Sequence, residues 1–269
     1  GMQRGLGDES ADVDVRRSIW NGSVPVMFSL AASEVLGTAT PRPLFLNIPR
    51  STYFAAKPHD LIREHFASSI PPSGGELWLE FNSMPLRWHY PVGVLFDLLA
   101  GNELPWNVIV HFQNFPAEQV MKLGSTAATP IRSFFMNSLK ESTYVKSNGI
   151  KVINDFGIRE SDAIWEGLYD ANFEKFWSVA SLISQSSPIL PIRILRPNFP
   201  IMQYPCHFKD ATTGEPITLA SALSHCNVQI ASNTNLFVQG ISPPLDTPIA
   251  WLSQNLAHPD GFLYIVVKD

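Results

Sequence analysis

Two distant stretches of this chain spell the same alternation of segments. In the first, RWHYP (87–91) leads through Pro91 into VGVLFDLLAG, and LPWNVIVHF (104–112) follows as a strand-like run. In the second, LFVQGISPP (236–244) leads through Pro248 into IAWLSQNLA, and HPDGFLYIVV (258–267) follows. Each reads as strand, proline, short helix, proline, strand. Proline suits the start of a helix and bars a helix from running through it, so the prolines act as boundaries.

The order upstream agrees as well. VPVMFSL, PLFLNIP, the helix DLIREHFASSI and the strand ELWLEF precede the first unit; LPIRILRP, PIMQYP and the helix ITLASALSHC precede the second. Two strands, a helix, further strands, a short helix and a last strand is the order of a β-grasp, one mixed sheet packed on a helix. Between the two lies a region of helical apolar spacing from about Phe115 to Ile183. Three loop clusters punctuate the chain, at 40–43, 71–75 and 184–191. The expected class is α+β, two ubiquitin-like β-grasp domains flanking a helix-rich domain. The boundaries follow: a loose polar segment over 1–14 with Gly1 before Met2 as a tag-cleavage scar, a first ubiquitin-like domain with an N-terminal helix over 15–113, the helix-rich domain over 114–187, and the second ubiquitin-like domain over 188–269.

Composition narrows the function classes. With 45% apolar and 16% charged residues the chain is globular rather than disordered. A net charge of −5 with no lysine or arginine run gives no footprint for nucleic acid. No apolar stretch reaches the roughly 20 residues that cross a bilayer, and no signal-peptide core opens the sequence. Two cysteines make no disulfide framework, so a reducing compartment, cytosol or nucleus, is expected. The Asn21-Gly22-Ser23 acceptor pattern carries no weight in such a compartment.

A search for catalytic chemistry finds no nucleophile elbow, zinc-protease helix, phosphate loop or dinucleotide fingerprint. Cys206-His207 and His225-Cys226 invite a metal reading, but adjacent ligands diverge and the usual spacing is two to four residues, so no metal and no cofactor is expected. A cysteine-dependent enzyme using Cys226 or Cys206 is the rival from another class. His65, His89 and His111 read as core or edge histidines, and Trp20, Trp78, Trp88, Trp106 and Trp251 as core.

One helix holds an awkward residue. From Pro130 to a stop at Asn148-Gly149, Ile131, Phe134, Phe135, Ser138, Ser142 and Val145 keep the spacing of one face. At about 100° per residue, Lys140 lies on the opposite face and points to solvent with Ser133, Met136, Asn137 and Tyr144. Surface lysines are mostly bystanders.

The block ELWLEFNSMPLRWHYPVGVLFDLLAGNELPWNVIVHFQNFP (76–116) resembles the signature region of the autophagy protein 5 family. The resemblance extends through SIWNGSVPV, LNIPRSTYF, FFMNSLKE, ANFEKFW and PLDTPIAWLSQNLAHPDGFLYIVV, nearly all of the chain from about Arg16. The family's architecture is two ubiquitin-like domains flanking a helix-rich one, as the repeat suggests. The resemblance implies that Lys140, in Phe135-Met136-Asn137-Ser138-Leu139-Lys140-Glu141, is joined by an isopeptide bond to the ubiquitin-like autophagy protein 12, with Met136 and Tyr144 as a small apolar seat and Lys122, Lys146 and Lys151 as controls. It implies a second partner, the coiled-coil autophagy protein 16, whose amphipathic helix lies in a groove; Arg50 is the expected anchor there. The implied function is a non-catalytic scaffold in an E3-like complex that promotes transfer of autophagy protein 8 to phosphatidylethanolamine, in the cytoplasm at the phagophore assembly site with peripheral membrane contact. A non-covalent ubiquitin-like interaction module is the milder alternative.

Overall fold

The computed structural model describes residues 6–37, 39–70, 75–101, 103–124, 127–147, 149–183 and 187–268. Gly1 and Met2, most of the 71–75 cluster, the start of the 184–191 cluster and Asn148 lie outside the described residues. In chain order the elements are α1 (Leu6–Trp20), β1 (Ser23–Leu30), β2 (Leu44–Pro49), α2 (Lys57–Phe66), β3 (Trp78–Phe81), β4 (Met84–Pro85), α3 (Val92–Leu99), β5 (Trp106–His111), α4 (Ala128–Ser147), α5 (Lys151–Asn154), α6 (Ile158–Tyr169), α7 (Phe173–Ile183), β6 (Ile189–Leu195), β7 (Met202–His207), α8 (Leu219–His225), β8 (Asn235–Phe237), α9 (Ile249–Leu256) and β9 (Leu263–Lys268). They fall into two compact units, Ser23–Phe134 and a second that joins Phe135 onward to α1.

In the first unit the sheet order is β2-β1-β5-β3-β4; in the second it is β7-β6-β9-β8. The same rule builds both. The first and last strands lie side by side in parallel, β1 with β5 and β6 with β9, and an antiparallel neighbour follows each first strand. After β3, Asn82 and Ser83 carry φ of 49° and 61°; after β8, Gln239 and Gly240 carry 54° and 75°. Two successive positive φ values are what a tight primed hairpin turn requires. The prolines behave as read from the sequence: Pro91 and Pro248 sit just before α3 and α9. Neither helix has a side-chain cap, and the freed amides go to backbone instead, Val92 N–H to the Thr52 carbonyl at 2.8 Å and Ile249 N–H to the Ile217 carbonyl at 2.9 Å.

The two sheets differ in what covers their second face. In β5, Trp106, Val108 and Val110 are buried while Asn107 and Ile109 are exposed, the alternation of a one-sided sheet. β9 is buried from Leu263 to Val267, and β6 from Leu190 to Leu195. Leu190, Ile192 and Ile194 join Leu263, Ile265 and Val267 in the core under α8 and α9. Arg193 and Tyr264 are cross-strand partners in the β6–β9 pair and, by alternation, occupy the other face.

Four expectations are corrected. From Leu6 onward the segment expected to be loose through Asp14 is helical: α1 starts at Leu6, and Asp12 accepts a hydrogen bond from Gln254 of α9 at 2.6 Å. Packing supplies what a polar composition does not show, with Trp20 buried against Phe176 at 4.9 Å between ring centroids and donating to the Ala171 carbonyl. RWHYP is a turn rather than a strand, folded inward so that buried Trp88 donates to the Met121 carbonyl at 2.9 Å. Helix begins at Ala128, not Phe115. Trp251 is 43% exposed, because the short α9 buries only the face carrying Ile249, Leu252 and Leu256.

α6 and α7 cross where α6 has a glycine. A Cβ at Gly167 would meet the Phe176 backbone nitrogen at 2.6 Å and its Cα at 2.8 Å. In an ordinary helix, glycine to alanine gains up to about 1 kcal/mol. Here the clash is with main chain and cannot be relieved by a rotamer. Gly167→Ala is therefore expected to destabilise by about 1–3 kcal/mol, seen as a lower midpoint in urea unfolding.

Candidate functional site

The acceptor candidate sits on α4, whose buried residues include Ile131, Phe135, Ser138, Leu139, Ser142 and Thr143. Met136, Lys140 and Tyr144 follow at steps of four and share one stripe of the helix. Tyr144 is 55% exposed, and Met136 and Lys140 are half-buried. Lys140 is thus less solvated than its helical angle alone suggests. No hydrogen bond or ion pair to its ammonium occurs among the described residues.

Its neighbours in sequence are held tightly. The Ser138 hydroxyl donates to Asp260 Oδ2 at 2.9 Å, and the Ser142 hydroxyl donates to the Asp260 carbonyl at 2.6 Å. Gly261, at φ +83°, lets β9's lead-in pass this close, since a Cβ there would meet Ser142 Oγ at 2.4 Å. The Arg193 guanidinium lies between α4 and the sheet. It donates through Nη1 to Ser138 Oγ at 3.0 Å and to the Tyr264 hydroxyl at 2.7 Å, and through Nη2 to Glu141 Oε2 at 3.0 Å. The Phe262 ring packs 3.5 Å from it, a cation–π contact.

Asp260 is the buried counter-ion. Its Oδ2 takes the Tyr264 hydroxyl at 2.7 Å and approaches Arg193 Nη1 at 3.5 Å, and its Oδ1 takes the Phe262 amide at 3.1 Å. Burial pushes its carboxyl above the ordinary aspartate range, opposed first by Arg193 and then by the Tyr264, Phe262 and Ser138 hydrogen bonds. Arg193 and Asp260 were not singled out in the sequence. The available signal was Arg193 inside the apolar run LPIRIL, since a charge within a buried strand needs a partner.

Of the control lysines, Lys146 is packed in, and burial pulls its ammonium below the ordinary lysine range against the attraction of Asp260. Lys122 and Lys151 are exposed. Arg50 is not a free surface cation. Its side chain is 11% exposed, pairs with Asp97 Oδ2 at 2.5 Å and donates to the Gly93 carbonyl at 3.2 Å, tying the end of β2 to α3. Gly93 is required for this approach, because a Cβ there would meet the Arg50 Cβ at 2.8 Å.

The cysteines fit a structural role. Cys206 is buried while His207 is exposed, so the adjacent pair diverges across β7. Burial pushes the Cys206 thiol up to about 11 and raises that of Cys226. Both are protonated, poor nucleophiles near neutral pH. No group of three or more His, Cys, Asp or Glu side chains placed to hold a metal ion occurs among the described residues.

Family models match most of the chain: "Autophagy protein ATG5, UblA domain" over residues 19–112, its alpha-helical bundle region over 129–186 and its UblB domain over 189–267. Autophagy protein 5 of Drosophila melanogaster is 30% identical, covering 95% of this chain and 97% of that protein. The chain belongs to the autophagy protein 5 family. Autophagy protein 5 of Dictyostelium discoideum is 25% identical over 97% of this chain and 96% of its own length. The fold is that of the Kluyveromyces marxianus Atg5 crystal structure, with a TM-score of 0.84 at 22% identity, covering 94% of this chain and 99% of that one. Two ubiquitin-like domains flank a helical bundle, as the internal repeat implies, and membership of the family gives the chain a role in autophagy.

Proposed function

We propose that this chain is a non-catalytic conjugation scaffold that receives the ubiquitin-like autophagy protein 12 on Lys140. The observation that carries the reading is a lysine in the family motif, between Met136 and Tyr144, whose ammonium has no partner among the described residues, on a helix whose Ser138, Glu141 and Ser142 side chains are all hydrogen-bonded. An acceptor amine needs a flexible stem free to reach a conjugating enzyme's thioester, and a compact apolar rim gives the attached partner something to cover. Assembled with autophagy protein 16, the conjugate acts as an E3-like factor for transfer of autophagy protein 8 to phosphatidylethanolamine. Membrane contact at the phagophore assembly site is peripheral; among the described residues no helix is long and apolar enough to cross a membrane. Arg50 serves the docking of the autophagy protein 16 helix from inside the fold, by fixing the β2 end against α3, since its guanidinium is engaged by Asp97.

The test is reconstitution with the matching activating enzyme, conjugating enzyme and autophagy protein 12. Wild type is expected to gain one partner mass linked through Lys140, and Lys140→Arg to gain none, while substitution of Lys122, Lys146 or Lys151 leaves the adduct. Co-purification of the partner without any adduct on wild type would replace this reading with non-covalent association.

A further inference from the structure

Glu141, next to the acceptor, is the outer end of a closed ring of hydrogen bonds. Arg193 Nη2 donates to Glu141 Oε2 at 3.0 Å, Gln203 Nε2 donates to Glu141 Oε1 at 2.7 Å, and Arg193 Nε donates to Gln203 Oε1 at 2.9 Å. Three side chains from α4, β6 and β7 thereby satisfy one another, each in one orientation. The Glu141 side chain is 49% exposed, so water competes for it and the ring adds little to stability. What such a ring does supply is geometry. It fixes the α4 backbone beside Lys140 to the second β-grasp sheet.

We propose that Glu141 and Gln203, held by Arg193, are positioning residues that brace the acceptor segment of α4 for attack by the Lys140 amine. This rests on the reading of Lys140 as the acceptor. In the transfer step the neutral amine nitrogen attacks the thioester carbonyl carbon. The C–N bond forms, the C–S bond breaks, and the proton lost by nitrogen ends on the released cysteine thiol. Attack requires the reacting atoms about 3–3.5 Å apart, and small misplacements of the mount cost rate steeply. The lysine stem is flexible, so the brace sets where the stem begins and how often it samples that approach. Gln203 makes the case separable from local chemistry, because it lies on β7, outside α4.

The experiment is single-turnover discharge of the conjugating enzyme charged with autophagy protein 12 onto the full chain, at varied acceptor concentration. Glu141→Ala and Gln203→Ala are each expected to lower the saturating rate about 5–10-fold with the half-saturating concentration unchanged. The double variant should be no slower than either alone, as for members of one network. Glu141→Gln, which keeps one acceptor oxygen, should fall between. Hydrogen exchange over 138–144 should quicken in both alanine variants at unchanged melting temperature. Wild-type rates and exchange in both would overturn the brace while leaving Lys140 as acceptor. A raised half-saturating concentration with a normal saturating rate would overturn it too, making Glu141 a docking contact. If wild type itself shows no adduct on Lys140, the acceptor reading fails before any variant is compared, and the brace falls with it.

Discussion

Replacing Asp260 with alanine is expected to lower the stability of the unit formed by α1 and Phe135 onward by about 3–5 kcal/mol, the usual range for removing one partner of a buried ion pair, with three donors left unsatisfied. Asp260 is 1% exposed and the Arg193 side chain 10%. After the substitution the guanidinium keeps Glu141, Gln203, Ser138 and Tyr264 but loses the one buried carboxylate near it. Ser138, Tyr264 and the Phe262 amide lose an acceptor at the same time. Asp260→Asn keeps the shape and one acceptor oxygen, so a smaller loss is expected. Urea unfolding followed by tryptophan fluorescence measures both. A loss under about 1 kcal/mol for alanine, the range of exposed ion pairs, would mean that water already screens the pair.

Glu34→Ala should destabilise the Ser23–Phe134 unit by about 2–3 kcal/mol, through orphaned main-chain donors rather than through charge. Glu34 is buried, and its carboxylate accepts the Phe112 amide at 2.6 Å, the Gln113 amide at 3.3 Å and His111 Nδ1 at 3.1 Å. It closes the end of β5, where no strand among the described residues pairs with those amides. On the imidazole's other side, Nε2 lies 3.1 Å from Glu80 Oε2, an ion-pair distance without hydrogen-bond geometry, and Trp78 stacks on the ring at 4.0 Å. Stacking persists in the variant, so the loss should fall on the amides. Faster hydrogen exchange at Phe112 and Gln113 would localise it there. Unchanged exchange with unchanged stability would show that water substitutes for the carboxylate.

Much of the architecture was legible because its signals are local. Proline bars a helix over one turn, strand alternation has a period of two, and helical spacing places Lys140 opposite Phe135 and Ser138 within seven residues of chain. Hence the repeated β-grasp order, the helical insert and the helix that carries Lys140 could be read in advance. RWHYP and Trp251 defeated the same reading. Trp88 is core as read but sits in a turn rather than a strand, and packing left Trp251, read as core, partly exposed.

The site divides in the same way. The sequence by itself determined that Lys140 rides on an amphipathic helix between two β-grasp copies, because periodicity and proline placement are properties of neighbouring residues. Only the tertiary structure decided what holds that helix. Arg193 meets Glu141 across 52 residues and Asp260 across 67, and Ser138 meets Asp260 across 122. Arg50, expected as an anchor for a partner helix, is instead engaged within the fold by Asp97, brought to it across 47 residues. A buried charge is stable only beside a partner, and which partner arrives is set by how strands and helices stack, which no local pattern encodes.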